Sequence, residues 1–239
     1  DWLFLQQDRD HEGCAVTKNR VVGRAINAGA EVVIVLDDDC YPEASEGYGR
    51  SLETFAQMHL KALEPQPVEM FDILSDPPAR GTPYYTRSVV MPVACSVGFW
   101  TLNPDWDAPS QLVHGAKYGM ACDRRTVFGR YTPTCGMNIA FRAKWWPYCR
   151  FIEGVGRFDD IWMGFIFQRR AYAEGHCFNF NGPVVKHSRQ SSVWKNLMVE
   201  APFLEANETV WQKVHECPGT GYRDLCKCLP VEQDWSAIP

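Results

Sequence analysis

The sequence predicts an α/β fold: one domain built on a mixed, mostly parallel sheet flanked by helices. Three observations predict it. The first forty residues read strand, helix, strand, with apolar runs at 2–6 and 32–36 around an amphipathic stretch at 16–28. The second of those strands is apolar at every position, as expected of a parallel strand covered on both faces. It runs straight into three carboxylates, Asp37, Asp38 and Asp39, and open α/β sheets place their ligands beyond the carboxyl ends of their strands.

Each later element follows from the same signals. Residues 51–63 repeat apolar side chains at helical spacing, and Pro65 and Pro67 close the segment. Residues 68–74 read as a strand, while Pro and Gly mark 76–83 and 104–109 as loops. A helix over 159–172 opens on Asp159 as its N-cap and offers Ile161, Trp162, Phe165 and Phe167 for burial. Residues 184–187 form a short strand, and the tail after residue 200 shows no strong period. The expected organisation is a catalytic domain over 1–200 with a Cys-rich extension, 201–239, packed on it.

Composition narrows the function. With 46% hydrophobic and 22% charged residues, 239 residues bury a sizeable core, which excludes disorder and collagen-like structure. Lys and Arg number 24 against 29 Asp and Glu, a net charge of −5, so bulk attraction does not hold a polyanion here. The longest uncharged run, 88–104, is broken by prolines and polar side chains, so no membrane insertion is expected. Without a secretory signal the expected location is cytoplasmic, and the single sequon, Asn207-Glu-Thr209, carries little weight. The chain opens on Asp1, not on methionine, so a preceding segment is expected. Ten cysteines at irregular spacing, none in a CxxC pair, are expected mostly as thiols; Cys217, Cys226, Cys228 and His215 match no standard zinc spacing.

Several residue groups carry chemistry. Alternate side chains of an extended segment point the same way, so Asp37 and Asp39 are expected to face one site with Asp38 turned elsewhere. Such oxygen ligands suit Mn²⁺ or Mg²⁺, whose shells waters and phosphates complete; the alternative is a solvated acidic turn. Asp159 reads first as a helix cap, whereas Asp160 is a candidate base or sugar-hydroxyl acceptor. His187, at the end of a strand, is a candidate ligand to the same cation, against the commoner structural histidine. Arg80 and Arg87 flank a Gly-Pro turn and suit a diphosphate, or are plain surface arginines. Trp100, Trp106, Trp145, Trp146 and Trp162 are stacking candidates or core. No P-loop, G-x-G-x-x-G, G-x-S-x-G or H-E-x-x-H occurs.

Taken together, the blocks Asp37-Asp38-Asp39-Cys40, Arg80-Gly81-x-Pro83-Tyr84-x-x-Arg87, Trp100-x-x-Asn103-Pro104-Asp105-x-Asp107-Ala108-Pro109-x-Gln111-Leu112-Val113, Cys135-Gly136-Met137-Asn138-x-Ala140-Phe141, Gly156-Arg157-Phe158-Asp159-Asp160-x-Trp162-x-Gly164 and His187-Ser188 resemble one family. It is the UDP-arabinopyranose mutases, or reversibly glycosylated polypeptides, glycosyltransferase-like proteins. The resemblance covers roughly residues 32–197 and implies a GT-A-like, Rossmann-like sheet, here without the family's first, nucleobase-binding strand. It implies a UDP-sugar bound through Mn²⁺ or Mg²⁺, with Asp37, Asp39 and His187 as metal residues. Asp37, Asp38, Trp100, Asp107, Asn138 and Asp159 are the implied nucleotide-sugar contacts. Arg80, Arg87 and Asp160 are the implied catalytic residues, Arg80 as the one that becomes glycosylated, a role that guanidinium chemistry alone does not suggest.

The leading expectation is therefore a metal-dependent UDP-sugar mutase. The first alternative is a glycosyltransferase passing sugar to a polysaccharide, a protein or a modified phage DNA base, with Arg124, Arg125, Arg130, Arg142 and Lys144 as a candidate polyanion groove or a solvated face. The second is a non-catalytic nucleotide-sugar-binding subunit. Partners expected beyond the UDP-sugar are a polymeric acceptor in the transferase reading and a further copy of the chain as a homo-oligomer.

Overall fold

The computed structural model describes residues 5, 13–43, 51–72, 75–83, 85–103, 105–115, 124–188 and 191–231. The expected strand at 2–6, apart from Leu5, lies outside them, as do Tyr84, Pro104 and Cys122. In chain order the elements are α1 (Cys14–Asn27), β1 (Val32–Leu36), β2 (Cys40–Pro42), α2 (Leu52–Ala62), β3 (Gln66–Glu69), β4 (Ser88–Met91), β5 (Val93–Val97), β6 (Trp100–Leu102), α3 (Ala108–His114), β7 (Thr126–Val127), β8 (Asn138–Arg142), α4 (Asp159–Ala173), β9 (Cys177–Asn179), β10 (Val185–His187), α5 (Val193–Glu200), α6 (Leu204–Glu216) and α7 (Tyr222–Lys227).

The main sheet is mixed α/β in character, with order β1-β8-β5-β9-β7. Strands β1, β5 and β9 run one way, and β8 and β7 run against them. The described neighbour of β1 is thus the antiparallel β8, in register from Val32 opposite Arg142 to Leu36 opposite Asn138. The all-apolar sequence of β1 still has its expected cause, because both faces are covered. Val33 and Val35 join the core beneath α1 and α4, while Val32 and Ile34 pack with Leu63, Val68 and Val93. A smaller sheet, β2-β10-β6, stands at the carboxyl end of β1, and β3 pairs with β4 alone.

Helix α4 is buried on nearly every side, between the sheet and α6, which explains its dense aromatic content. Its N-cap is Phe158, one residue before the expected Asp159, because a 3₁₀ turn over Gly156–Phe158 leads directly into it. The expected strand at 68–74 begins and ends earlier, as β3, and the Met70 N–H bonds the Arg87 carbonyl beyond it. The tail is more ordered than its weak periodicity predicts: α6 and α7 bury Val210, Val214, Tyr222, Leu225 and Cys226 in the main core. A disulfide joins Cys217 to Cys228, which corrects the all-thiol expectation for the tail and leaves Cys226 free and buried. Within the sequon, Asn207 Oδ1 accepts the Trp162 indole N–H at 3.0 Å. Among the described residues no helix is long and apolar enough to cross a membrane.

One buried polar chain ties α2 to the sheet. Asn138 donates to the carbonyls of Phe99 and Pro183, at 3.2 and 2.9 Å, so its Oδ1 is left to accept from His59 Nε2 at 2.9 Å. That fixes the histidine tautomer, and Nδ1 accepts from Ser96 Oγ at 2.9 Å. Gly98 makes this possible, because a Cβ there would stand 2.2 Å from both Asn138 Nδ2 and the Pro183 carbonyl. Burial pushes His59 down to about 4 from an ordinary 6.5. The folded state therefore prefers the neutral ring, and the stability it supplies is complete above pH 6.5 and is lost as pH falls towards 4. The expected loss is about 3 kcal/mol across that window. Urea unfolding of the wild type against His59→Gln checks it: the variant should begin less stable at pH 8 and show a shallower decline.

Candidate active site at the carboxyl end of β1

Residues 37–39 form a tight turn, with the Cys40 N–H on the Asp37 carbonyl at 3.1 Å, where an extended run was expected. The turn nonetheless points Asp37 and Asp39 into one cavity and leaves Asp38 exposed outside its lining. Several other segments close the cavity, with Cys135 and Met137 before β8 and Gln111 of α3 among the lining, and four of them carry its charged and ring side chains. They are the α1 face with Cys14 and Lys18, the segment with Asn103 and Asp105, the start of α4 with Asp159 and Asp160, and His187 at the end of β10. Asn19 docks α1 there by bonding the backbone of Phe151 in both directions, at 2.9 Å each way.

Electrostatics dominate this cavity. Asp37, Asp39, Asp105, Asp159 and Asp160 all line it. Lys18 Nζ lies 2.6 Å from Asp37 Oδ1 and 5.0 Å from the centroid of the Phe151 ring. Burial is the largest single effect on Lys18 and opposes its charge, but the neighbouring groups together, Asp37 first and then Cys14 and Asp160, hold the ammonium well above its ordinary range. Arg157 bridges Asp105 Oδ1 at 3.0 Å and the buried Glu200 at 2.9 Å. Glu200 in turn accepts the Ala108 N–H at 2.6 Å, fixing the start of α3.

Asp160 accepts from the N–H groups of Gly136 (2.7 Å) and Ile161 (2.8 Å). The approach needs glycine at 136, since a Cβ would fall 2.5 Å from the Phe151 ring and 2.8 Å from Asp160 Cβ. Burial, with Asp159 adding to it, raises Asp160 to about 7, and burial also raises Asp159. Asp159, inside the first turn rather than at the cap expected of it, accepts the N–H of its neighbour Asp160 at 3.0 Å.

Asp39 Oδ2 and His187 Nε2 face each other at 3.6 Å. Asp39 raises the histidine above its ordinary value, against a smaller effect of burial. A carboxylate oxygen and an imidazole nitrogen at that separation fit two neighbouring positions of a Mn²⁺ or Mg²⁺ shell, with the others left to water and phosphate. Among the described residues no group of three His, Cys, Asp or Glu side chains stands close enough to hold a metal, and Asp37 is engaged by Lys18. Of the residues expected to hold a metal, Asp39 and His187 are the two that face each other here.

The remaining sequence candidates lie elsewhere. Asn138 is fully buried and spends its amide on Phe99, Pro183 and His59. Asp107 caps α3 by accepting the Ser110 N–H at 2.8 Å. Trp100 packs beside Cys40, Phe55 and Val185 rather than lining the cavity. Trp145 and Trp162 are fully buried, so neither stacks on a ligand. Arg142 and Lys144 lie at the end of β8, and Arg124, Arg125 and Arg130 flank β7, with β5 and β9 between them, which does not make one groove. Arg80 is exposed, Arg87 donates to the Pro83 carbonyl at 2.5 Å, and neither reaches the cavity. Strand β4 leads through Pro92 into β5, which runs parallel to β1, so the arginine block stands at the amino end of the sheet, opposite the cavity.

Sequence reasoning missed Lys18 and passed over Arg157 and Asp105 inside the quoted blocks. Lys18 carried a readable signal: with the buried Ala15 and Val22 it completes an i, i+3, i+7 stripe, so it sits on the packed face of α1.

A carboxylate-rich cavity where an apolar strand of an α/β sheet ends stands where such sheets place their ligands, and the sequence comparison names the family. The model for "Reversibly glycosylated polypeptide" matches residues 16–213, and the chain belongs to that family. It is similar to a probable UDP-arabinopyranose mutase 1 of Pisum sativum, 30% identical over 189 residues, which are 70% of this chain and 50% of the relative. It is also similar to a probable UDP-arabinopyranose mutase 4 of Arabidopsis thaliana (31% over 196 residues, 74% and 52%) and to UDP-arabinopyranose mutase 1 of Oryza sativa subsp. japonica (29% over 187 residues, 70% and 50%). The chain spans about half the length of the curated relatives it matches.

The ion pair at the cavity floor makes a direct prediction. Lys18→Met strands Asp37 among other carboxylates and should cost about 2–3 kcal/mol, below the usual figure for a fully buried pair because Asp37 is partly exposed. Adding Asp37→Asn should restore much of the loss. Chemical unfolding of the single and double variants measures both, and additive losses would contradict the pairing.

Proposed function

We propose that this chain is a metal-dependent enzyme that acts on a UDP-sugar at the β1 cavity, with interconversion of UDP-arabinopyranose and UDP-arabinofuranose as its reaction. The observation that carries the reading is the facing pair of Asp39 and His187 among carboxylates and cations at the strand end. The family match and the names of the relatives supply the sugar nucleotide. A bound Mn²⁺ or Mg²⁺ would supply Lewis-acid neutralisation of the diphosphate.

The protein's own groups do the rest. Asp39 and His187 would hold the cation, and Arg157, which lines the same cavity, offers guanidinium charge to the departing UDP. Lys18 pairs with Asp37 and holds it in place. Exchange of ring size changes which sugar hydroxyl closes the ring, so one hydroxyl proton must leave and another return. Asp160, raised to about 7, is matched to take and return that proton near neutral pH. Asn103, Asp105 and the start of α4 wall the site.

Two measurements test this reading. Asp39→Asn and His187→Gln should each weaken Mn²⁺ binding, read by electron paramagnetic resonance, by no less than the ~10–100-fold that lost outer partners cost in other metal sites. Unchanged affinity in both would reject the metal pair. Glycosylation of Arg80, implied by the family resemblance, would in this reading run between chains, because neither Arg80 nor Arg87 lines the cavity. Adduct formation, followed by intact mass after exposure to UDP-sugar and Mn²⁺, should therefore accelerate with protein concentration. A rate constant independent of concentration would overturn the intermolecular route.

A further inference from the structure

His187 is held by one residue through three contacts. Its ring Nδ1 lies 2.9 Å from the Asn103 carbonyl oxygen, which only accepts, so Nδ1 carries the proton. The Asn103 side-chain amide donates to the His187 carbonyl at 3.0 Å, and the Asn103 backbone N–H approaches the same oxygen at 3.4 Å. In the neutral ring this leaves Nε2 without a proton, directed at Asp39 and the cavity.

The residue before Asn103 explains how its carbonyl comes to lie against the ring. Leu102 ends β6 opposite His187 in the parallel ladder, with φ 74°. It is the one residue other than glycine with positive φ among those described. A leucine pays for that left-handed conformation, and its side chain remains exposed, so burial of the side chain does not repay the cost. Strain of this kind gathers where a neighbouring group must be aimed.

We propose that Asn103 is a positioning residue that presents the Nε2 lone pair of His187 to the cavity, and that the left-handed turn at Leu102 aims it. The role deepens the reading of Asp39 and His187 as the metal pair and rests on it for its purpose. The ring orientation itself is a property of the metal-free protein. Outer partners of this kind fix the tautomer of a ligand histidine and raise its basicity.

The experiment has two independent arms. In the first, the imidazole nitrogens of ¹⁵N-histidine-labelled, metal-free protein are observed at alkaline pH, with His187 assigned by comparison with His187→Gln. The expected spectrum places the proton on Nδ1, the reverse of the preference of free histidine. A proton on Nε2 in the wild type overturns the proposal without any need for a variant. In Asn103→Ala, which keeps the carbonyl but loses the side-chain clasp, the two tautomers should mix.

In the second arm, Mn²⁺ affinity is measured by electron paramagnetic resonance. Asn103→Ala should bind about tenfold more weakly, and Leu102→Val, whose β-branched side chain resists the left-handed turn, should do the same. Leu102→Gly adopts that turn freely and should keep the wild-type tautomer. Wild-type affinity and tautomer in both Asn103→Ala and Leu102→Val would overturn the assignment. Failure of the wild type to bind Mn²⁺ would instead strike at the metal pair, while the first arm still decides the role of Asn103.

Discussion

Five carboxylates share one cavity in this protein, and the fold around it depends on how their mutual repulsion is met. Two internal cations meet much of it. Lys18 reaches Asp37 from α1, and Arg157 reaches Asp105 and Glu200 from the turn before α4. Each cation also joins elements far apart in sequence: Lys18 ties α1 to the end of β1, and Arg157 ties α4 to the start of α3 and the end of α5. Burial makes the pairs strong and makes them obligatory, because either partner left alone would be a charge without water. Burial raises Asp159 and Asp160 above the ordinary carboxylate range, and the nearby Lys18 lowers both without offsetting it.

A second constraint sets the geometry of the sheet end. The chain of Ser96, His59 and Asn138 saturates its hydrogen-bonding groups inside the core and joins α2 to β5, β8 and the segment before β10. Gly98 lets the backbone approach that chain. The same stretch of β8 begins just after Gly136 and Met137, which contribute to the cavity side. A family motif centred on Asn138 is therefore a supporting motif: the asparagine shapes the strand end, and Gly136 beside it supplies the contact to Asp160.

The sequence made the frame legible where a single physical cause acted. The apolar run of β1, the aromatic helix α4 and the aspartates between sheet and turn all follow from burial on two faces or from charge at a strand end. It made the tail illegible, because α6 and α7 are fixed by packing on α4 and by the link from Cys217 to Cys228 more than by periodicity of their own. Direction of pairing was hidden too, since β1 looks the same beside an antiparallel neighbour as beside a parallel one once helices and loops cover it. In the site, Asp39 and His187 could be named from residue type, but Lys18 reads as a solvated lysine until its place in the buried stripe of α1 is weighed.

The order of the family blocks along the chain conceals a division in space. Five of them, around residues 37–40, 100–113, 135–141, 156–164 and 187–188, contribute directly or through support to the cavity at the carboxyl end of β1. The sixth, from Arg80 to Arg87, enters the sheet from the other end through β4 and Pro92. Nearness in a motif alignment is thus no guide to nearness in the molecule. An arginine that shares a family with an acidic cavity need not line that cavity within one chain.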